Sequence, residues 1–298
     1  MSAIAAPLKK TLNVALIQLS AGFDKAKNLN HFKTHILKAI GESKNKLDLV
    51  VLPECFNSPY SVSEFRNYAE TIPDGETTQF LSAIAKEHQI FLVGGSIPEL
   101  DKTNDKIYNT SVTFDPQGKI VGKHRKAHLF DIDIKGGITF KESITLTGGD
   151  KATVYDLDGF GKVGLGICYD IRFPELAQIA ARSPNDSFAM IYPGAFNTTT
   201  GPLHWHLLAR ARAIDNQIYT IVCSPARDLN SGYHAYGHSL VVDPYGKIIA
   251  EAGEGEEIVY AQLDPELITK VRQGIPINYQ RRFDIYNNVV DGATVSDV

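Results

Sequence analysis

Cys168 ends an apolar run, Val163-Gly164-Leu165-Gly166-Ile167, and is followed at once by Tyr169-Asp170-Ile171-Arg172-Phe173-Pro174-Glu175, which reads as a turn into a helix. A thiol at such a junction lies beside helical N–H groups, which with the helix dipole favour thiolate over thiol. Most cysteines at the end of an apolar strand are nonetheless buried and inert. Two upstream segments turn the reading toward chemistry. Glu54 closes a second apolar strand, Leu49-Val50-Val51-Leu52-Pro53-Glu54-Cys55-Phe56. Burial between such flanks would raise its pKa and suit it to proton transfer near neutral pH, whereas a solvated loop carboxylate or helix cap would do no chemistry. Lys126 stands in His124-Arg125-Lys126-Ala127-His128-Leu129-Phe130. A solvated basic face is the ordinary reading of that stretch, and its composition does not choose among Lys123, Arg125 and Lys126.

Other motifs carry less. Gly159-Phe160-Gly161-Lys162-Val163-Gly164 fits G-x-G-x-x-G, but it precedes the strand that ends at Cys168 instead of following a strand and opening a helix, so hairpin glycines are expected and no dinucleotide. His204-Trp205-His206 would diverge on a helix, with no third metal ligand nearby in sequence, so packing and surface roles are expected. No P-loop, H-E-x-x-H or G-x-S-x-G occurs.

The elements that must hold these residues alternate between strand and helix, as in an α/β protein. Leu12–Leu19 reads as a strand. Asp24–Gly41 reads as a helix with Leu29, Phe32, Ile36, Leu37 and Ile40 on one face. Ser61-Val62-Ser63-Glu64 resembles a capping box opening a short helix, Glu76–His88 a helix, and Gln89–Ser96 a strand. Asp264-Pro265-Glu266 places a cap before Pro at the first helical position. The chain also repeats itself. Gln89-Ile90-Phe91 and Ser96 return as Gln217-Ile218-Tyr219 and Ser224, and Asp115-Pro116-Gln117-Gly118-Lys119-Ile120 returns as Asp243-Pro244-Tyr245-Gly246-Lys247-Ile248, all at one common offset. Two similar halves follow, roughly 10–126 and 150–262. No Pro/Ser-rich linker separates them, so one domain over about 10–290 is expected, with two sheets face to face and helices outside. Ser187–Tyr192 and Ile218–Cys223 read as strands buried on both faces. The tail from about 274 to 298, with Tyr279, Arg281, Arg282, Phe283 and Tyr286, shows no clear periodicity. It could wrap a partner subunit or lie in solvent.

Composition bounds the function. The 298 residues are 43% hydrophobic and 21% charged, as in a globular domain, and the net charge of −4 without a basic block makes nucleic acid and anionic membranes poor partners. No apolar stretch approaches a membrane span. The first ten residues lack the pattern of a signal peptide. They have no acid but also no arginine, so a disordered start is favoured over a mitochondrial leader, and a cytoplasmic address is expected with a mitochondrial one as the alternative. Three cysteines, Cys55, Cys168 and Cys223, without a C-x-x-C spacing fit a reducing compartment better than a disulfide or zinc framework.

Taken together, Leu52-Pro53-Glu54, His124-Arg125-Lys126 and Gly166-Ile167-Cys168-Tyr169-Asp170-Ile171-Arg172-Phe173-Pro174-Glu175 resemble the nitrilase superfamily of carbon–nitrogen hydrolases, in the family's order of Glu, Lys and Cys, over about Val14 to Tyr286. The resemblance implies a four-layer α-β-β-α sandwich of two pseudo-symmetric halves, a homodimer formed through outer helices, and a small amide substrate with no cofactor or metal. Phe130-Asp131-Ile132-Asp133, Ile138-Thr139-Phe140-Lys141-Glu142-Ser143, Tyr192-Pro193-Gly194-Ala195-Phe196-Asn197, Asp215-Asn216-Gln217 and Ser224-Pro225-Ala226-Arg227-Asp228 look most like the omega-amidase branch, which hydrolyses 2-oxoglutaramate and 2-oxosuccinamate. A neighbouring branch acts on deaminated glutathione. The resemblance implies Glu54 as base, Cys168 as nucleophile, Lys126 and the backbone N–H of Tyr169 as oxyanion donors, and Glu142 as the second glutamate that orients Lys126 or the substrate amide. Two departures stand out. Lys135-Gly136-Gly137 lies where a proline-containing turn of the flap is expected, and His206 stands where many relatives carry Glu.

Arg172, four residues beyond Cys168, could reach the far end of a short substrate and bind a carboxylate by paired hydrogen bonds. Its alternative is an internal ion pair with Asp170 or Glu175. Phe196 is the expected apolar wall and Phe130 lies on the flap. The competing functions are an amidase for deaminated glutathione or another small amide or nitrile, and a catalytically idle binding protein. The intact Glu54, Lys126 and Cys168 argue against the last.

Overall fold

The computed structural model describes residues 6–133, 135 and 139–286. In the first half, β1 (Leu12–Gln18), α1 (Lys25–Glu42), β2 (Leu49–Val51), α2 (Phe65–Tyr68), α3 (Glu76–His88), β3 (Phe91–Val93), β4 (Ile97–Asp101), β5 (Lys106–Phe114) and β6 (Ile120–Arg125) follow in order. A small hairpin, β7 (Asp131–Asp133) and β8 (Thr139–Lys141), intervenes. The second half has β9 (Thr153–Leu157), β10 (Gly161–Leu165), α4 (Pro174–Ala181), β11 (Ala189–Pro193), α5 (Gly201–Asn216), β12 (Tyr219–Cys223), β13 (Leu240–Val242) and β14 (Ile248–Glu251). β15 (Glu257–Leu263), α6 (Pro265–Gly274) and α7 (Ile277–Gln280) close the described chain.

The strands form two large sheets, ordered β15-β1-β2-β3-β5-β4 with β6 beside β5, and β14-β13-β12-β11-β10-β9. Each is centred on three parallel strands joined through helices, followed by an antiparallel neighbour: β1-β2-β3 then β5, and β10-β11-β12 then β13. The period-2 alternation of side chains then builds three apolar layers. Leu12, Val14, Leu16 and Val51 of one sheet meet Val163, Leu165, Ile191 and Ile221 of the other. Ala15, Ile17, Val50 and Leu92 face α1 and α3, and Met190, Tyr192 and Val222 face α4 and α5. The result is the four-layer α-β-β-α sandwich.

The internal repeat has a backbone basis. Gln89 and Gln217 both end a helix in the left-handed conformation, at φ 52° and 53°. In both repeated turns the leading aspartate accepts backbone N–H groups two and four residues on, from Gln117 and Lys119 and from Tyr245 and Lys247. Gly118 and Gly246 close them at φ 78° and 80°, where a side chain would be strained.

Several local expectations are corrected. The strand expected over Gln89–Ser96 is only Phe91–Val93, because Gln89 is spent as a helix cap. The capping box at Ser61 does not form: Ser61 Oγ meets Ser63 Oγ, and the Ser61 carbonyl instead takes the N–H groups of Glu64 and Phe65. In α1 the buried stripe is Leu29, Phe32, Ile36 and Ala39, while Leu37 is turned outward by a further 100° of helix. Asp24 caps that helix through Lys27 N–H, and Asp264 caps α6 as expected. The G-x-G-x-x-G glycines lie at the antiparallel β9–β10 hairpin, as expected. The tail contains the short α7 and exposes Tyr279, Phe283 and Tyr286. The chain start at 1–5, Gly136 and Gly137 of the departing turn, Ile138, and the tail beyond 286 lie outside the described residues.

Candidate active site

Glu54, Lys126 and Cys168 arrive from three separated places: the loop after β2, the end of β6 and the turn after β10. Their side chains meet in the interior. Lys126 and Glu54 are both fully buried, and Lys126 Nζ donates to Glu54 Oε1 at 3.0 Å and to Glu142 Oε1 at 2.9 Å. An ammonium has three donors, so one remains for a further acceptor. Glu142 is held on every side: Tyr60 donates its hydroxyl to Oε1 at 2.7 Å, and the Phe130 N–H donates to Oε2 at 2.7 Å. Glu54 Oε1 also accepts from Asn109 Nδ2 at 2.8 Å. Its Oε2 has no such partner among the described residues, and the thiol of Cys168 is near enough to help lower the pKa of this carboxyl.

Lys123 and Arg125 go elsewhere, which resolves the choice that composition left open. They project from β6 onto Glu99, and Arg125 also onto Asp101. Lys126 follows the strand end and turns inward, anchored by its N–H on the Asn109 carbonyl.

The electrostatics correct one expectation. The expected turn into a helix is a five-residue 3-10 turn, Cys168–Arg172, that leads into α4. Burial first, and then the Glu54 carboxylate, push the Cys168 thiol well above the ordinary value; Lys126 and the Ala195 N–H, 3.4 Å from Sγ, oppose this. The raised pKa favours the thiol over the thiolate, because desolvation and a neighbouring anion outweigh a short turn's N–H groups. Burial also raises Glu54, with Lys126 pulling the other way. For Lys126, burial works against the charge, yet Glu142 and Glu54 overcome it and hold the ammonium pKa well above its usual value. A carboxyl, a thiol and an ammonium thus meet in one buried site.

The carbon-nitrogen hydrolase family model matches residues 13–273. The chain belongs to the carbon–nitrogen hydrolase family. Omega-amidase NIT3 of Saccharomyces cerevisiae is 59% identical over 286 residues, covering 95% of this chain and 97% of that protein. Omega-amidase NIT2 of Mus musculus is 51% identical over 276 residues, covering 93% and 97%. The crystal structure of Saccharomyces cerevisiae Nit3, a member of branch 10 of the nitrilase superfamily, superposes with a TM-score of 0.86 at 55% identity, covering 94% of this chain and all of that one.

Cys168 in this carbon–nitrogen hydrolase has φ 46°, a left-handed conformation that a non-glycine residue adopts only when its surroundings impose it. Gly194 is one of those surroundings: a Cβ there would sit 3.1 Å from Cys168 Cα and 3.3 Å from the Trp205 ring. Asp170 is another. Its Oδ2 accepts the Ile167 N–H and His124 Nε2, and its Oδ1 meets the N–H and Nδ1 of His128. Burial opposes this carboxylate, but the two histidines overcome it and hold its pKa well below the usual range. Asp170 thereby ties the segment carrying Lys126 to the turn carrying Cys168.

The internal ion pair weighed for Arg172 does not form among the described residues, since Asp170 is committed to the histidines and Glu175 makes no bridge to it. Arg172 instead lies over Phe196, 4.7 Å from the ring centroid, and near Tyr169 at 5.4 Å. Its Nη1 meets His204 Nδ1 at 3.1 Å, and its Nε is buried without a partner among the described residues. Burial lowers its pKa. Phe196 is thus a seat for the guanidinium, packed against Trp205. Phe130 sits between Tyr169 and Phe140. His204 and His206 diverge as expected, His206 toward Glu251.

Sequence reasoning missed Asn109, Tyr60, Tyr233 and the bridging part of Asp170. Tyr233 donates its hydroxyl to the Ala195 carbonyl and packs against Tyr60, which stacks on Phe140. A polar Asn109 inside the buried strand β5 was the available signal for one of them; the tyrosines had none.

Proposed function

We propose that the chain is an omega-amidase that cleaves the terminal amide of a short 2-oxo dicarboxylic acid monoamide, 2-oxoglutaramate or 2-oxosuccinamate, to the 2-oxo acid and ammonia. The relatives named omega-amidase support the reading. The observation that carries it is Arg172, a half-buried guanidinium without a carboxylate partner among the described residues, placed near Cys168.

Glu54 takes the thiol proton through Oε2, and the thiolate attacks the amide carbon. Charge develops on the carbonyl oxygen, where the third N–H of Lys126 and the backbone N–H of Tyr169 receive it. Glu142 keeps Lys126 aimed. The tetrahedral intermediate collapses as Glu54 returns its proton to the nitrogen, and ammonia leaves. Glu54 then activates water, which hydrolyses the thioester and frees the thiol. Arg172 holds the distal carboxylate by two hydrogen bonds while Phe196, Phe130 and Tyr169 wall the chain between.

Steady-state ammonia release from 2-oxoglutaramate, deaminated glutathione and a simple aliphatic nitrile tests this. The expected order puts 2-oxoglutaramate first in kcat/KM. Arg172→Met should cost about 2–3 kcal/mol in kcat/KM for the charged amide, the scale of a charge-assisted hydrogen bond, and much less for an uncharged amide of equal length. Equal losses would make Arg172 a support of the fold instead.

We further propose a homodimer formed through the outer helices α4 and α5. Ile179, Leu203, Leu207 and Ile214 are exposed there, Leu203 and Leu207 at 66% and 63%, and a second copy of this face would cover them. Sedimentation equilibrium should find a dimer at micromolar concentration; a monomer rejects it.

A further inference from the structure

A cavity of about 630 Å³, sharing no residue with the Cys168 site, opens between the loop after α4, the start of β10 and the C-terminal helices. Its charged lining is Lys9, Lys162, Arg182 and Arg272 against Asp156 and Asp186, an excess of positive charge. Neither Arg182 nor Arg272 makes a salt bridge among the described residues, although Asp186 lies close enough to Arg272 to oppose part of its desolvation. Both are partly withdrawn from water. Arg272 Nε and Nη2 and Arg182 Nε are buried with no hydrogen-bond acceptor among the described residues. Arg281 brings a third guanidinium toward Arg182, and the two repel. Its Nη2 is used on the Asp215 carbonyl, while its Nε is also unpaired among the described residues. Phe283 lies under Arg182, 4.6 Å from the ring centroid, and gives the cavity one flat apolar side.

Buried guanidinium N–H groups are normally satisfied, because a donor stripped of water and given no acceptor destabilises the fold. Several such donors converging on one cavity, with like charges brought together, form an arrangement that a multiply charged oxyanion completes. Guanidinium forks bind carboxylate and phosphate oxygens in pairs. We propose that this cavity is a second ligand site, separate from catalysis, for a small dianion: a phosphate or phosphate ester, or a dicarboxylate. Its volume exceeds what inorganic phosphate fills, which leaves room for a short carbon skeleton against Phe283.

Isothermal titration calorimetry on the full chain, with inorganic phosphate and with succinate as separate probes, tests the site. Arg172→Met serves as background so that succinate cannot register at the amide site. Saturable binding of either probe is expected; phosphate alone assigns phosphate chemistry, and succinate alone assigns a dicarboxylate. Arg272→Gln should weaken that binding at least tenfold while leaving amide turnover of an otherwise unaltered chain unchanged, which also shows that the variant is folded. Arg182→Gln, at a more exposed position, should weaken it in the same direction and decides the matter if Arg272→Gln does not fold. Absence of binding by both probes overturns the proposal, as does binding that neither arginine substitution weakens.

Discussion

Cys168→Ala is expected to abolish amide turnover, a fall of about 10⁴-fold or more of the kind seen when a covalent nucleophile is removed, while leaving the protein folded. The alanine retains Cβ, so the left-handed backbone at φ 46° is no more strained than before. What is lost is one buried sulfur, whose one protein hydrogen bond is the 3.4 Å contact from Ala195 N–H, so the stability cost is about 1 kcal/mol. The other two thiols cannot substitute. Cys223 lies between the sheets with its thiol directed at the carbonyls of Val51 and Ile17, and burial pushes its pKa up to about 12. Cys55 is buried in a separate apolar cluster with Phe65, Ile107 and Leu146. Mass spectrometry of the wild type during turnover should place the acyl adduct on Cys168. An adduct on Cys55 or Cys223, or turnover persisting in Cys168→Ala, would sink the assignment.

Lys126→Met should lower kcat by at least the 10²–10³-fold, roughly, that follows loss of an oxyanion donor. Two effects combine. The oxyanion loses its fixed positive charge. In addition, Glu54 and Glu142 lose the cation each contacts at 3.0 and 2.9 Å in a site closed to solvent. Two uncompensated carboxylates cannot both stay ionised there, so a proton is taken up, and a protonated Glu54 cannot act as base. Burial already raises Glu54, and removing Lys126 raises it further, because that ammonium is the main influence holding it down. The acidic limb of the kcat/KM profile should therefore move to higher pH in the variant. Thermal unfolding should show a loss of about 3–5 kcal/mol, the usual consequence of breaking a buried pair from one side. Near-normal kcat, or an unmoved acidic limb, would remove Lys126 from the mechanism.

The family, the sandwich and the meeting of Glu54, Lys126 and Cys168 in one place were legible because they rest on local signals. Apolar alternation, helix caps and Asp-Pro-x-Gly turns act over a few residues, and the repeated turn at Asp115 and Asp243 is the same local solution used twice. Even so, limits were local too: Gln89 looks like the start of a strand until its backbone is seen to end a helix.

What the tertiary structure alone decided concerns groups distant in sequence. Lys126, and not Lys123 or Arg125, enters the site because alternation points Lys123 and Arg125 at Glu99 and sends His124 and Lys126 the other way, onto Asp170 and Glu54. Asp170 looked like a partner for Arg172, yet it is consumed by His124 and His128. That commitment leaves Arg172 free of a carboxylate among the described residues. Whether the thiol is charged at rest could not be read from a strand-to-turn junction either, since the sign follows from how much water burial removes and from which carboxylate arrives beside it. Local spacing governs backbone conformation; desolvation and Coulomb terms depend on the whole chain having closed around the site.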